Sequence, residues 1–263
     1  MANGNLPLLI KGYNSDINGQ NSTNVKTGGT IQWNNVFDSG RGDVVALDAI
    51  ETDAPSLYGA GTNATATISV SGVQVMVNAY CADFAPYSNP GAYYITPLRQ
   101  PGGQTLSLNL SGGNGAHGLQ VLAFYENQYD VPGARERLMV SKLKRRFQDT
   151  YYTVSTNAKN QTSQSFTVPI ANGYVVGVEQ LAYINTGSTA SDLATTTMSV
   201  YINGVSIFEN VNCIYAHNTC TRPQIFPIKI NPGDTFYINA DASGAASTVN
   251  LTVGVRFYFD DQN

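Results

Sequence analysis

The side chains that most often perform catalysis are sparse in this chain of 263 residues. It contains two histidines, His117 and His217, and no Gly-x-Ser-x-Gly nucleophile motif, paired-cysteine zinc spacing or glycine-rich phosphate loop. The two histidines also fall in different parts of an internal repeat, so no histidine-based catalytic apparatus is duplicated. We therefore predict that the protein is not an enzyme and holds neither a metal ion nor a cofactor.

Three other patterns could carry chemistry, but each has a simpler explanation. The turns at 100–103 and 231–234 resemble those of bicupins, yet the His-x-His, Glu and His metal ligands of cupin enzymes are absent. Proline presets such a bend and glycine supplies the positive φ. Residues 41–43 (Arg-Gly-Asp) match the integrin-recognition tripeptide, which a loop-to-strand transition explains. Asp260 and Asp261 could bind Ca²⁺, but no fixed ligand spacing supports such a site.

The strongest concentration of charge lies between residues 130 and 149. This segment holds six of the fourteen basic residues of the chain: Arg135, Arg137, Lys142, Lys144, Arg145 and Arg146. Residues 135–149 carry a net charge of +4, which leaves −8 on the remainder of a chain whose total is −4. Met139, Leu143 and Phe147 recur every four residues, so we predict one short amphipathic helix here.

This basic connector has several possible roles. If this segment connects two β-domains of jelly-roll type, in which the first and last strands are antiparallel neighbours, it should lie at the base that the two domains share. Its cations could face anionic lipid headgroups, nucleic acid or an acidic partner. Alternatively, the helix packs against the protein and its cations pair with the chain's own acidic domains. The net charge of −4 argues only against the whole chain being a nucleic-acid binder.

The chain repeats itself at a separation of about 130 residues. Five blocks return in the same order: Ala64–Val70 as Ala194–Val200, Gly72-Val73 as Gly204-Val205 after a two-residue insertion, Cys81 as Cys213, Pro101-Gly102 as Pro232-Gly233, and Leu119–Gln128 as Val253–Gln262. Five ordered matches indicate a duplicated domain. The equivalent cysteines are interpreted as small buried hydrophobes in a reducing interior, with a bridge from Cys213 to Cys220 as the alternative.

Strand patterns dominate both copies. Short runs of alternating apolar and polar residues, rich in Val, Ile, Thr, Tyr and Phe, are separated by Gly, Pro, Asn and Asp. About eight strands per copy predict an all-β chain of two tandem eight-stranded jelly rolls, a double jelly roll, joined by a short amphipathic helix. Immunoglobulin-like sandwiches are the nearest alternative. They usually have a buried Trp and paired Cys in each copy, whereas Trp33 is the only Trp of this chain.

We place the boundaries from the repeat and the basic connector. The predicted divisions are an N-terminal arm (1–27), a first jelly roll (28–129), the basic helical connector (130–160) and a second jelly roll (161–263). Only 12% of residues are charged, which is typical of β-proteins whose surfaces are covered by neighbours and also of ordinary extracellular β-domains. Neither a secretion signal nor an apolar run of about 18 residues occurs, so we expect neither export nor a membrane span.

This arrangement resembles the double jelly-roll major capsid proteins of the adenovirus and tailless membrane-containing phage lineage. The resemblance covers almost the whole chain and rests on the duplicated blocks, the short connector and the missing enzyme site. It favours one of the smaller bacteriophage members. It implies a structural protein that forms pseudo-hexagonal homotrimeric capsomers of an icosahedral, internal-membrane-containing virus, with the connector near the inner, membrane-facing side.

The same resemblance implies the partners and the location. The partners would be the chain itself, in the trimer and in neighbouring capsomers, minor capsid or penton proteins, and the lipids of the internal membrane, with no specific nucleic acid. The protein would reside in the virion after assembly in the host cytoplasm. The alternative function is that of a glycan-binding jelly-roll protein, either a lectin-like module or a spike or fibre component of a virion.

Overall fold

The fold is described from a computed structural model of the chain. It describes residues 10–13, 26–27, 30–51, 64–80, 84, 96–112, 116–117, 119–125, 146–158, 161–163, 165–168, 175–216, 225–245 and 247–259. Most of the connector, residues 130–145, lies outside these ranges. Among the described residues, no helix is both long and apolar enough to cross a bilayer.

Strands account for nearly all of the regular structure among the described residues. Those of the N-terminal half are β1 (Ile10–Tyr13), β2 (Lys26–Thr27), β3 (Thr30–Val36), β4 (Val44–Glu51), β5 (Ala64–Val70), β6 (Val73–Tyr80), β7 (Thr96–Gln100), β8 (Thr105–Gly112), β9 (Ala116–His117) and β10 (Leu119–Tyr125). Those of the C-terminal half are β11 (Phe147–Val154), β12 (Gln161–Thr162), β13 (Phe166–Thr167), β14 (Val175–Ile184), β15 (Thr197–Ile202), β16 (Val205–Asn212), β17 (Ile225–Ile230), β18 (Thr235–Asp241) and β19 (Leu251–Phe259). One short helix, α1 (Ala190–Ala194), precedes β15.

The strand order is the same in both halves. The N-terminal half contains the orders β3-β8-β5-β6 and β1-β10-β4-β7, and the C-terminal half contains β12-β18-β15-β16 and β11-β19-β14-β17, with β13 also paired to β18. Neighbouring strands within each of these sets are antiparallel. The predicted all-β fold is confirmed, and these sheets are consistent with a fold of jelly-roll type, while the two tandem eight-stranded jelly rolls stay a prediction.

Alternating side chains build the core of each half. In β18, Phe236, Ile238 and Ala240 are buried, whereas Tyr237 and Asn239 between them are more exposed. This period of two is the pattern of a strand with one face on a core. The described residues form two large apolar clusters, one in each half, and the cluster of the C-terminal half extends to residues of β1, β4 and β10.

The β5–β6 and β15–β16 hairpins have the same turn. The first has positive φ at Ser71 (48°) and Gly72 (81°), and the second at Asn203 (49°) and Gly204 (81°). Positive φ at both central residues defines the type I′ turn, whose twist matches that of the flanking strands. The backbone N–H of Ser71 donates to the carbonyl oxygen of Thr105 on β8 at 2.7 Å. The backbone N–H of Asn203 donates to the carbonyl oxygen of Thr235 on β18, also at 2.7 Å.

Each hairpin also carries a β-bulge at an asparagine. Asn78 and Asn210 both have a φ of 50°, in the left-handed region that asparagine tolerates better than most residues. The backbone N–H of Asn78 donates to Thr67 Oγ1 at 3.2 Å, and that of Asn210 donates to Ser199 Oγ at 2.9 Å. The two hairpins therefore correspond residue for residue, from turn to bulge.

This correspondence corrects the sequence alignment of the repeat. Matching Ala64–Val70 with Ala194–Val200 required a two-residue insertion before the turn, whereas Val70 and Ile202 both directly precede the turn in the structure. A shift of two residues returns every side chain to the same face of a strand. The alternating Ala, Thr and Ser residues therefore fit either alignment, and only the pairing distinguishes them.

Two strands fall within segments that were predicted to lie outside the jelly rolls, while the predicted divisions themselves stay predictions. The predicted N-terminal arm, 1–27, contains the sheet strand β1, and the predicted connector, 130–160, contains β11. Phe147 is part of the predicted helical stripe but begins β11, which pairs with β19 along its full length. The segment from Phe147 to Val154 is rich in aromatic and β-branched residues, and pairing with a neighbouring strand prevails over the four-residue apolar spacing.

Candidate functional site: the seam between the two halves

The two halves are joined edge to edge by the first strand of the chain. β1 pairs antiparallel with β10 of its own half and parallel with β16 of the other half. The register of the second contact places Ile10 opposite Phe208 and Lys11 opposite Glu209. One continuous sheet therefore runs through both halves. We call this β1–β16 contact the seam.

Polar groups fix the seam on both sides of β1. Lys11 Nζ lies 2.7 Å from Glu209 Oε1, with both side chains mostly shielded from solvent. Gln120 on β10 is fully buried, and its Nε2 donates to the carbonyl oxygen of Asn210 at 3.0 Å. Its Oε1 accepts from the backbone N–H of Asn212 at 2.9 Å. Because a buried amide without partners is costly, these bonds hold β16 in one register against the N-terminal half.

Gly12 allows the backbones at the seam to approach closely. A Cβ atom at this position would lie 2.3 Å from the carbonyl oxygen of Asn210 and 2.6 Å from Gln120 Nε2. The first of these atoms belongs to the backbone of a paired strand and cannot move aside as a side chain can. Glycine is therefore the residue type that this position accepts.

The Arg-Gly-Asp tripeptide contributes to the same junction. Arg41 Nη2 donates to Ser206 Oγ on β16 at 3.2 Å, and Arg41 Nε lies 3.8 Å from Asp38 Oδ2. Asp43 pairs with Arg99 within the N-terminal half, at 3.3 Å. The arginine and the aspartate thus have structural contacts, as expected for a loop that leads into a strand.

A second polar cluster lies on the outer face of the β11-β19-β14-β17 sheet. Arg256 Nε and Nη2 donate to the two carboxylate oxygens of Asp149 at 2.6 and 2.7 Å, and Tyr151 OH donates to the same carboxylate at 2.5 Å. Arg256 also stands over the ring of Phe147 at 4.3 Å. A bidentate arginine–carboxylate pair of this kind fixes both side chains.

The protonation of this cluster follows from its contacts. Burial raises the pKa of Asp149, but hydrogen bonds from Arg256 and Tyr151 outweigh burial and hold the pKa of that carboxyl below its usual value. Hydrogen bonding to Asp149 raises the pKa of Arg256. Burial, and then the hydrogen bond to Glu179, raise the pKa of Tyr258. The cluster thus holds a charged pair beside neutral tyrosines.

The connector cations are mostly outside the described residues. These are Arg135, Arg137, Lys142, Lys144 and Arg145. Arg146 is described: it is exposed, directly precedes β11, and its carbonyl accepts from the backbone N–H of Phe259 at 3.0 Å. The end of the connector therefore lies beside the last residue of β19. The structure does not bring Arg146 to the seam.

The remaining sequence-based candidates do not form a catalytic or metal site in the described part of the chain. His117 lies in the two-residue strand β9, opposite Lys26 of β2, while His217, Asp260 and Asp261 lie outside the described residues. No group of three or more potential metal ligands occurs among the residues that are described. Cys213 is a free, fully buried thiol whose pKa burial raises, and Cys81 and Cys220 are not described.

The seam was not predicted from the sequence, although β10 carries one signal for it. In β10, from Leu119 to Tyr125, apolar residues occupy both alternating sets, and every residue of the strand is buried. Such a run indicates a strand with both faces covered. A polar Gln120 within it then indicates a buried hydrogen-bonding role. The roles of Gly12 and Asn210 have no comparable local signal.

The comparisons with known proteins give no family. No protein-family model and no curated protein matches the chain. Similar solved structures include the CUB1-EGF-CUB2 domain of human MASP-1/3 (7% identity, TM-score 0.25, covering 95% of this chain and 99% of that one). The tandem CBM51 modules of a family 98 glycoside hydrolase from Streptococcus pneumoniae are 10% identical, with a TM-score of 0.24, and the match covers 90% of this chain and 83% of that one. A fucolectin from the serum of striped bass, Morone saxatilis, is 12% identical, with a TM-score of 0.26, and the match covers 95% of this chain and 92% of that one. TM-scores this low carry no argument about function or partners.

Proposed function

We propose that this protein is a double jelly-roll major capsid protein, and that three copies form a pseudo-hexagonal capsomer of an icosahedral, internal-membrane-containing phage. The observation that carries this proposal is the edge-to-edge union of two halves with the same strand order. It is a structural role, without catalysis, in a virion that assembles in the host cytoplasm. Further copies of the trimer and minor capsid or penton proteins would be its partners.

The symmetry of the seam supports a ring. The seam joins unlike edges of two like units, since β1 belongs to one sheet of the first half and β16 to the other type of sheet in the second half. A contact between unlike surfaces is heterologous, and its repetition gives a closed ring when the rotation closes. Three duplicated chains would supply six similar units, which suits tiling of a flat facet.

The oligomeric state tests this proposal. Native mass spectrometry of the purified chain should give a dominant species of three times 28.2 kDa, stable to dilution because three contacts between chains close the ring. A monomer would contradict the capsid proposal. A monomer that also binds on a glycan array would favour the alternative of a glycan-binding module, which stays a prediction from the sequence.

We also propose that the basic connector faces the internal membrane. Its six cations, together with the predicted apolar positions Met139 and Leu143, suit anionic headgroups, and each cation near such a surface contributes about 1 kcal/mol to binding. Changing Arg135, Arg137, Lys142, Lys144, Arg145 and Arg146 together to Gln should reduce liposome binding by about 100-fold or more.

Liposome flotation checks this connector prediction. The wild-type oligomer should float with vesicles of mixed phosphatidylcholine and phosphatidylglycerol, and binding should weaken as salt is added. Vesicles of phosphatidylcholine alone are the control for charge. Equal flotation of wild type and the six-Gln variant with the anionic vesicles would mean that the cations instead serve a protein partner or the chain's own domains.

A further inference from the structure

Two of the edge strands in the described part of the chain, β6 and β11, expose apolar side chains. β6 ends the order β3-β8-β5-β6, and β11 ends the order β11-β19-β14-β17. On β6, Val73, Val77 and Tyr80 are 66%, 54% and 56% exposed, and on β11 Phe147 is 54% exposed. Neither strand contains the lysine or proline that commonly protects an edge from pairing. Both edges are therefore suited to accept another strand.

The seam indicates which strands these edges accept. Because the strand orders of the two halves match, β6 occupies the place of β16, and β11 occupies the place of β1. Within the chain, the β1 edge of the first half meets the β16 edge of the second. The two edges left over, β11 and β6, are the same pair of surfaces with the halves exchanged.

We propose that β11 of one copy pairs in parallel with β6 of a second copy of this chain, repeating between chains the contact that joins the two halves within one. This inference rests on the proposed function, because a ring of three chains needs three contacts of this kind. The occupant of each edge is the other edge of the same protein. No third component is required to close the ring.

A bulge that both halves of the protein share shows which residue of β11 is equivalent to Ile10 of β1. Ile10 pairs with Phe124, and Phe147 pairs with Tyr258. The pairing of β10 with β4 shifts directly after Phe124, and that of β19 with β14 shifts directly after Tyr258. Phe124 and Tyr258 are thus equivalent, so Phe147 takes the place of Ile10.

The asparagine bulges show which residues of β6 are equivalent to Phe208 and Glu209 of β16. Phe208 and Glu209 stand directly before the bulge on β16, and Met76 and Val77 stand directly before the bulge on β6. The register of the β1–β16 pairing can therefore be applied to the β11–β6 contact between chains without a shift of residues. The expected pairs across the two copies are Phe147 with Met76 and Gln148 with Val77.

The chemistry of the contact changes while its geometry is repeated. The seam carries the Lys11–Glu209 ion pair, whereas the equivalent positions between chains are Gln148 and Val77. Exposed apolar residues at both edges would be covered when the ring closes, which is the behaviour expected of an interface patch. The contact between chains should therefore be less sensitive to salt than an ionic one.

A charge at Val77 tests the pairing. Val77→Glu should raise the dissociation constant of the trimer by about 10-fold or more, because it places an unpaired carboxylate opposite Gln148. Val36→Glu is the matched control: Val36 is 58% exposed and lies on β3, at the opposite edge of the same sheet. The control should leave the trimer intact, and a Val77→Glu trimer as stable as the control would overturn the pairing.

A rescue variant excludes simple misfolding. Adding Gln148→Lys to Val77→Glu recreates between chains the lysine–glutamate pair of the seam. It should restore at least half of the trimer that Val77→Glu loses. Failure to restore any trimer would count against the register, because the two positions would then not face one another.

Disulfide formation gives a positive test of the same register. Neighbouring strands lie about 4.8 Å apart, within the Cα separation of about 4.4–6.8 Å that a disulfide spans. Oxidation of the Met76→Cys/Phe147→Cys protein should give covalent dimers and trimers on non-reducing gels, and neither single variant should. A wild-type trimer without this cross-link in the double variant would overturn the pairing and leave the capsid proposal standing. A wild-type monomer would instead defeat the capsid proposal itself.

Discussion

Replacing Gly12 with alanine is expected to lower the free energy of unfolding by about 1–3 kcal/mol, the usual cost of overpacking a close contact. The new Cβ atom would lie 2.3 Å from the carbonyl oxygen of Asn210, far inside van der Waals contact. Relief requires β1 to move away from β16. Such a movement also strains the hydrogen bonds of the buried Gln120. The effect is thus concentrated at the seam.

Urea unfolding with a matched glycine variant measures this effect. Gly40→Ala is the control, because the nearest atom to its Cβ would be Asp38 Oδ1 at an ordinary 3.6 Å. We expect the control to change stability by less than about 0.5 kcal/mol. If the Gly12→Ala and Gly40→Ala proteins had the same free energy of unfolding, the inference that the backbones of β1 and β16 approach closely at Gly12 would be wrong.

Replacing Arg256 with glutamine is expected to cost about 2–3 kcal/mol at pH 7, between the values for exposed and fully buried ion pairs. The substitution leaves the Asp149 carboxylate without its bidentate partner, while the buried Glu179 lies opposite Arg256 on the other neighbouring strand, β14. Because the contacts of Asp149 depress its pKa in the folded protein, their stabilisation is fully present above the unfolded value of about 3.9. It is lost as the pH falls through the lower, folded pKa.

The pH dependence distinguishes this ion pair from simple packing. The difference in unfolding free energy between wild type and Arg256→Gln should therefore shrink between pH 7 and pH 3. Arg99→Gln, in the more exposed Arg99–Asp43 pair, is the control and should cost less than about 1 kcal/mol at pH 7. A cost for Arg256→Gln that is unchanged at pH 3 would show that lost packing on Phe147, rather than charge, explains it.

The strands were predictable because their pattern is local. Alternating residues such as those of β18, and turn residues such as Ser71-Gly72, carry the period and the positive φ that define a hairpin. The all-β fold of jelly-roll type followed from these signals and from the repeat. The exact alignment of the repeat did not, because a two-residue shift preserves the faces of a strand.

The seam was not predictable because its partners are distant in the sequence. β1 has four residues, one of them glycine, and it forms a strand because β10 and β16 pair with it on both sides. Phe147 shows the opposite case: its helical spacing is a local signal, and pairing of β11 with β19 overrides it. The roles of the connector cations and the trimeric assembly stay predictions.

Imaging of the purified oligomer tests the capsid proposal most directly. Negative-stain class averages of the wild-type protein should show a nearly hexagonal block with six lobes and three-fold symmetry, because three chains would each supply two similar units joined edge to edge. Single two-lobed particles, or particles with two-fold symmetry, would contradict the proposal that this chain is a capsid building block.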